Sequence, residues 1–107
     1  MKFSEYIQYD GLGLAKLVKD KEIHPSELLQ VALEHTHKAN PKLNAIIIPM
    51  YEQAKQRAKQ PLTGTFAGVP FLVKDLFQEY QGVPTSYGSN ALKRINYTPD
   101  FSAEIVN

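Results

Sequence analysis

The segment GVPFLVKD, residues 68–75, decides how the rest of this chain is interpreted. A glycine-proline turn leads into the apolar run Phe71-Leu72-Val73, which predicts a short buried strand. Two ionisable residues, Lys74 and Asp75, follow that run at once. A lysine amine has a reference pKa of about 10.4 and serves as a general base where desolvation lowers that value. Lys74 is therefore a candidate base, although a lysine at a strand end is more often solvated or paired with a carboxylate such as Asp75 or Glu79.

Three helices are predicted upstream of this segment. The first covers residues 11–21, with apolar residues at helical spacing and Asp10 as a plausible N-cap. The second begins at Pro25, whose missing N–H suits the first helical position. It is predicted to end at Asn40-Pro41, because a residue before proline is pushed out of the α region. The third helix is predicted over residues 51–60.

A second apolar run predicts the kind of sheet. Ile46-Ile47-Ile48, within residues 43–48, places β-branched residues on successive positions, which indicates a strand buried on both faces. Such a strand implies a sheet covered by helices, so the residues predict an α/β fold. The sequence 102–107 is typical of a helix beginning. Since one helical turn hardly propagates, we expect the domain to continue beyond Asn107.

Composition excludes several classes of function. The chain has 107 residues, of which 43% are hydrophobic and 21% charged, as in an ordinary globular protein. Its formal net charge of +1 gives no field that would attract nucleic acid or an anionic membrane. The absence of cysteine excludes disulfides, thiolate nucleophiles and cysteine zinc sites. No signal peptide and no apolar run of about 20 residues is visible. We therefore expect a soluble cytoplasmic protein without a nucleic-acid or membrane partner.

Five motifs, in the same order along the chain, resemble those of the amidase-signature family. The most specific is GVPFLVKD, which resembles that family's glycine-[valine or isoleucine]-proline-x-x-x-lysine-aspartate block. The other four are each weak alone but gain weight from their register. They are HPSELL at residues 24–29, NPKLNA at 40–45, PTSYGS at 84–89 and SAEIV at 102–106.

The resemblance implies a fold and a domain boundary. The family fold is α/β, with a mixed central sheet flanked by helices, and this chain would supply its leading helices and first strands. Residues 1–107 would then form the N-terminal portion of a single amidase-signature domain. They would stop before the family's serine-rich catalytic block, leaving the fold incomplete in this chain.

The resemblance also implies a catalytic role for Lys74. In the family, a serine attacks an amide carbonyl, a second serine in a cis peptide relays its proton, and a lysine accepts it. Lys74 matches that lysine, and no residue here matches either serine. Ser86, Ser89 and Ser102 are expected to be loop, turn and cap residues. The implied partner is a small amide substrate, with no metal and no organic cofactor.

Two other interpretations remain open at this point. The chain could be a truncated, non-catalytic fragment that self-associates through exposed core residues. It could instead belong to a glutaminase-type subunit of a tRNA amidotransferase, within the same family. In every case we expect the isolated 107-residue chain to be inactive, because it carries only one of the three catalytic residues.

Overall fold

The structure, a computed structural model, describes residues 1–106. The chain divides into two compact units, Met1–Pro70 and Phe71–Asn107. Within the described residues the helices are α1 (Phe3–Tyr6), α2 (Gly11–Lys19), α3 (Pro25–Leu43), α4 (Tyr51–Arg57) and α5 (Asn90–Arg94), followed by a 3₁₀ helix (Glu104–Val106). Between Met1 and Val106, none of these helices is long and apolar enough to cross a membrane.

The core of the first unit lies between α2 and α3. Leu14, Ile23 and Leu28 form its centre, and Leu28 is completely buried. Burying a leucine side chain of this kind stabilises a fold by roughly 1.5–3 kcal/mol. Partly buried side chains from α1, α2 and residue Val69 pack around this centre. The small hydrophobic cluster therefore joins the first two predicted helices and the segment that precedes Phe71.

Local capping explains where α2 begins. The Asp10 carboxylate accepts a hydrogen bond from the Gly13 backbone N–H at 2.7 Å, as the predicted N-cap requires. The helix ends at Lys19, and Lys21 adopts a left-handed conformation with φ of 59°. The predicted first helix is confirmed, although it is two residues shorter than the interval 11–21.

The start of α3 is confirmed and its predicted end is wrong. Pro25 occupies the first turn, and His24 Nδ1 accepts the Ser26 backbone N–H at 3.1 Å. The helix passes Asn40 and Pro41 and ends at Leu43. Pro41 removes one bond of the helix, the one that an N–H at this position would donate to the His37 carbonyl, and the helix nevertheless continues to Leu43. Asn44 is the C-cap of this helix. It adopts a left-handed conformation (φ 48°), and its N–H donates to the Asn40 carbonyl at 2.7 Å.

The predicted mixed central sheet is wrong for this chain, because residues 1–106 contain no strand. The run Ile46-Ile47-Ile48 has no strand partner, and the Ile47 side chain is 56% exposed. The Asn40 side chain satisfies this backbone instead. It accepts the N–H groups of Ala45 and Ile46 at 2.9 Å each and donates to the Ile46 carbonyl at 3.0 Å. An apolar run becomes a strand only where a neighbouring strand completes its hydrogen bonds.

The second predicted strand, residues 71–73, is also absent. Phe71 and Leu72 are 72% and 69% exposed, so the apolar run is not buried in the part of the chain that the structure describes. The α/β class predicted from these two runs is therefore replaced by a helical architecture with long irregular segments.

The third predicted helix is present but shorter than expected. It ends at Arg57, and the next residues continue in tighter turns, with the Lys59 and Gln60 N–H groups bonded three residues back. The helix expected to begin near residue 102 is a single 3₁₀ turn, Glu104–Val106, and Asn107 lies outside the described residues. Two further helices, α1 and α5, were not predicted, because each spans too few residues to show a helical period.

Position 68, in the turn before Phe71, requires a glycine for two reasons. Its φ of +83° lies in the region that favours glycine. A Cβ built there would lie 2.9 Å from Pro25 Cγ and 2.9 Å from Val18 Cγ1. The turn is therefore packed directly against the first turn of α3 and the last part of α2.

Candidate active site

Lys74 lies in the second unit, on an irregular segment with its side chain exposed. Its backbone N–H donates to Gln78 Oε1 at 2.8 Å. Among residues 1–106 its ammonium forms no salt bridge, so neither Asp75 nor Glu79 is its ion partner. Residues 1–106 therefore do not surround the Lys74 side chain with the water-excluding contacts that a neutral lysine base needs.

Asp75 anchors the segment that carries Lys74. Its Oδ1 accepts the Thr85 hydroxyl and the Ser86 backbone N–H, the latter at 2.9 Å. Its Oδ2 accepts the Ser86 hydroxyl at 2.5 Å. Three donors therefore converge on one carboxylate from residues ten and eleven positions along the chain. Asp75 therefore ties the segment that carries Lys74 to the loop that contains Thr85 and Ser86.

The hydrogen bonds also decide the protonation of Asp75. Burial alone would raise the pKa of the Asp75 carboxyl. The hydrogen bonds from the Ser86 and Thr85 hydroxyls and from the Ser86 N–H outweigh burial and hold that pKa below its ordinary value. Asp75 is therefore ionised near neutral pH and acts as an acceptor only.

A second carboxylate, Glu79, contacts the same loop through Tyr87. Glu79 is buried, and its carboxylate accepts the hydroxyl of Tyr87. The Tyr87 ring contacts Phe77 edge to face, with centroids 5.8 Å apart, and lies 6.5 Å from Tyr97. Phe77 and Tyr87 both adopt positive φ, 58° and 52°, which non-glycine residues hold only where surrounding contacts enforce it. No local pattern in the sequence pointed to this cluster.

The loop containing residues 82–85 is tied to the segment after α5. Gly82 N–H donates to the Pro99 carbonyl at 3.0 Å, and Thr85 N–H donates to the Tyr97 carbonyl at 2.9 Å. These backbone bonds hold Thr85 next to Asp75. Residues 82–89 contain neither helix nor strand, and local sequence could not indicate their pairing with residues 97–99.

The three serines expected to be structural are engaged in structural bonds. The Ser86 hydroxyl donates to Asp75, Ser89 Oγ caps α5 by accepting a backbone N–H, and Ser102 Oγ accepts the Gln81 N–H at 3.0 Å. None of them is paired with Lys74. Their geometry agrees with loop and cap roles rather than with that of a nucleophile.

Metal-binding clusters are absent from the described part of the chain. No group of three or more histidine, cysteine, aspartate or glutamate side chains lies close enough there to hold an ion. His35 stacks on Phe3 with ring centroids 3.7 Å apart, and His37 contacts Tyr51 edge to face. Both histidines are thus packing residues of the first unit.

Comparison with known proteins gives amide hydrolases and amidotransferase subunits as relatives. A 6-aminohexanoate-cyclic-dimer hydrolase of Paenarthrobacter ureafaciens is 38% identical over 97 residues, covering 91% of this chain and 20% of the relative. A lipoamidase of Enterococcus faecalis is 38% identical over 92 residues, covering 84% and 13%. One subunit of the glutamyl-tRNA(Gln) amidotransferase of Pseudomonas entomophila is 34% identical over 100 residues, covering 87% and 20%.

A solved structure and a family model agree with these relatives. The structure of 6-aminohexanoate cyclic dimer hydrolase complexed with substrate matches 88% of this chain and 19% of its own, at 36% identity and a TM-score of 0.81. The chain thus spans at most about a fifth of the length of the relatives it matches. The family model described as Amidase matches residues 27–107, a range that includes Lys74 and Asp75. On this match the chain belongs to the amidase family.

Proposed function

We propose that the native protein carrying this chain hydrolyses the carbon–nitrogen bond of a small amide, with Lys74 as the general base. One observation carries the proposal. The lysine of the GVPFLVKD motif has no ion partner among residues 1–106. The carboxylates of Asp75 and Glu79 are instead engaged with Ser86, Thr85 and Tyr87. No contact among these residues ties up the side-chain nitrogen of Lys74, which is therefore free to meet a proton donor once the surroundings in the native protein have removed its proton.

The proposed mechanism follows the family's serine chemistry. The nucleophilic serine oxygen bonds to the amide carbonyl carbon, its proton moves to the second serine, and that serine's proton moves to the neutral amine of Lys74. The proton then returns along the same path to the nitrogen of the leaving amine as the carbon–nitrogen bond breaks. Water next hydrolyses the acyl-enzyme ester and releases the acid.

The two serines would come from residues outside those matched here, so Lys74 is the contribution of this chain. Lys74 would also need a drier setting than residues 1–106 provide, because its amine must lose its proton near neutral pH. The proposal therefore includes the expectation that the isolated 107-residue chain shows no amide hydrolysis.

The relatives suggest a substrate class. Two of them are hydrolases named for small non-peptide amides, a cyclic dimer of 6-aminohexanoate and a lipoyl amide. We propose an unbranched aliphatic amide of comparable size as the substrate of the native protein.

The test is release of amine or ammonia from a panel of amides by the purified native protein. The panel contains the 6-aminohexanoate cyclic dimer, lipoamide, a short fatty acyl amide and glutamine. Hydrolysis of at least one member, lost in the Lys74→Ala variant, would support the proposal. Equal rates for the variant and the wild type on every hydrolysed member would refute the role of Lys74, and no hydrolysis of any member would count against the substrate class.

A second candidate function rests on a separate observation. The similarity to the glutamyl-tRNA(Gln) amidotransferase subunit extends over 87% of this chain at 34% identity. In that case glutamine would be the amide, and its ammonia would be passed to glutamate-charged tRNA. Hydrolysis of glutamine that rises on addition of the partner subunits and charged tRNA would favour this alternative over a stand-alone amidase.

A further inference from the structure

The backbone on both sides of Lys74 is held by side-chain hydrogen bonds. On one side, Gln78 Oε1 accepts the Lys74 N–H at 2.8 Å. On the other, the next residue, Asp75, is fixed by its three bonds to Thr85 and Ser86. The Lys74 side chain is exposed, so among residues 1–106 the anchored backbone fixes the point from which that side chain extends.

The Asp75 carboxylate joins two segments that no helix connects directly. Residues 71–78 carry Lys74, while Thr85 and Ser86 belong to the loop tied to Tyr97 through the Thr85 N–H. Charge-assisted bonds from hydroxyl and backbone donors to a carboxylate are stronger than neutral ones, so this contact links the two segments firmly next to Lys74.

Two simpler roles for Asp75 are pairing with Lys74 and stabilising the fold alone. Asp75 is not the ion partner of Lys74, since no salt bridge joins them. A purely structural role predicts that Asp75→Ala lowers stability without lowering the rate per folded molecule, and the experiment below measures both quantities. The Ser86 hydroxyl donates to the Asp75 carboxylate and not to Lys74.

We propose that Asp75 is the positioning residue of Lys74, acting through its hydrogen bonds to Thr85 and Ser86. This inference rests on the proposed function, because it assigns Asp75 a task in the same reaction. A displacement of about 1 Å between reacting groups can lower a rate by about 100-fold. Loss of the three bonds frees the segment to move by such a distance, and so lowers kcat with little effect on substrate binding.

The atoms involved predict how two substitutions differ. In Asp75→Asn, the amide oxygen can still accept the Thr85 hydroxyl and the Ser86 N–H, and the amide nitrogen can donate to the Ser86 oxygen. In Asp75→Ala all three bonds are lost. A positioning role therefore predicts that asparagine restores most of the activity that alanine removes.

The experiment is steady-state kinetics of the native protein with its fastest substrate from the amide panel, with each rate divided by the folded fraction measured by circular dichroism. We expect Asp75→Ala to lower kcat by about 100-fold with KM nearly unchanged. Asp75→Asn should stay within about tenfold of the wild type. Ser86→Ala should lower kcat less than Asp75→Ala, and the double variant should be no slower than Asp75→Ala alone. The matched control is Asp100→Ala, an exposed aspartate of the same unit, which should leave both constants unchanged.

Each result has one meaning. If Asp75→Ala matches Asp100→Ala while Lys74→Ala is inactive, the positioning role is wrong and the proposed function stands. If asparagine is as slow as alanine, the hydrogen-bond geometry is not the cause and the inference is overturned. If Lys74→Ala keeps full activity, the proposed function itself fails, and the inference fails with it.

Discussion

Replacement of Gly68 tests whether the turn before the motif is packed as tightly as the structure indicates. An alanine there must adopt φ near +83°, which costs a non-glycine residue about 1–2 kcal/mol. Its Cβ would also lie 2.9 Å from Pro25 and Val18 side-chain carbons. Neither of these carbons is the end of a long flexible side chain, so relief requires α2 and α3 to move apart, at a cost of about 1–3 kcal/mol. Gly68→Ala should therefore lower the free energy of unfolding by about 2–5 kcal/mol.

The matched control is Gly64→Ala in the same unit. Gly64 has φ of +103°, but nothing lies within 4 Å of a Cβ built there. This variant should carry the backbone cost alone, about 1–2 kcal/mol. The assay is urea unfolding of the 107-residue chain followed by circular dichroism, with the slope compared between variants. Equal losses in the two variants, or a larger loss for Gly64→Ala, would refute the packing described for Gly68.

The core, the Asp75 contact and the exposed apolar run each lead to a further prediction. Leu28→Ala should lower the free energy of unfolding by about 2–5 kcal/mol, because Leu28 is fully buried. Leu12→Ala, at a 56% exposed position, should change it by no more than about 0.5 kcal/mol. A larger loss for Leu12→Ala than for Leu28→Ala in urea unfolding would contradict the place of Leu28 in the core. The pKa of Asp75 is lowered in the folded state, so the unfolded state binds more protons. The stability that ionised Asp75 contributes is therefore present above about pH 3.9 and is lost as the pH falls through the pKa of Asp75 in the folded state. The stability difference between the wild type and Asp75→Asn should therefore shrink on acidification in a pH series of urea unfolding, and a constant difference would be inconsistent with the bonds to Asp75. Finally, the isolated chain should self-associate in sedimentation velocity, and the double change Phe71→Ser with Leu72→Ser should reduce association because both side chains are about 70% exposed; a monomeric wild type at all concentrations would argue against it.

Helix starts were predictable because their signals are local. Asp10 and Pro25 each act within one turn of the helix that they begin, so sequence and structure agree there. Helix ends were less predictable. The end of α3 depends on Asn44 adopting a left-handed conformation and on the Asn40 side chain binding residues beyond the helix, and Pro41 did not stop the helix.

The sheet prediction failed because an apolar run reports a tendency toward burial and not the presence of a partner. Ile46-Ile47-Ile48 and Phe71-Leu72-Val73 have the composition of buried strands. A strand also needs hydrogen bonds from a neighbour, and none of residues 1–106 supplies one. Exposed Ile47 and Phe71 are the result of that missing partner.

The site was predictable in part. Lys74 and Asp75 stand in a motif whose residues are contiguous, so the sequence draws attention to both, whereas the bonds of Asp75 to Ser86 are visible only in the structure. The contact of Glu79 with Tyr87 depends on positive φ at Tyr87, a choice that the residue type disfavours. Only the tertiary structure of the loop could reveal that pair.

The rate of acyl-enzyme formation tests the central claim most directly. The native protein is mixed with its fastest amide substrate, and the reaction is quenched at short times. Mass spectrometry of the intact protein then detects the ester intermediate as added mass. If Lys74 is the general base, Lys74→Ala should acylate about 100- to 10,000-fold more slowly than the wild type, while Lys93→Ala, at an exposed lysine of α5, should acylate at the wild-type rate. Equal acylation rates for the two lysine variants would contradict the role of Lys74.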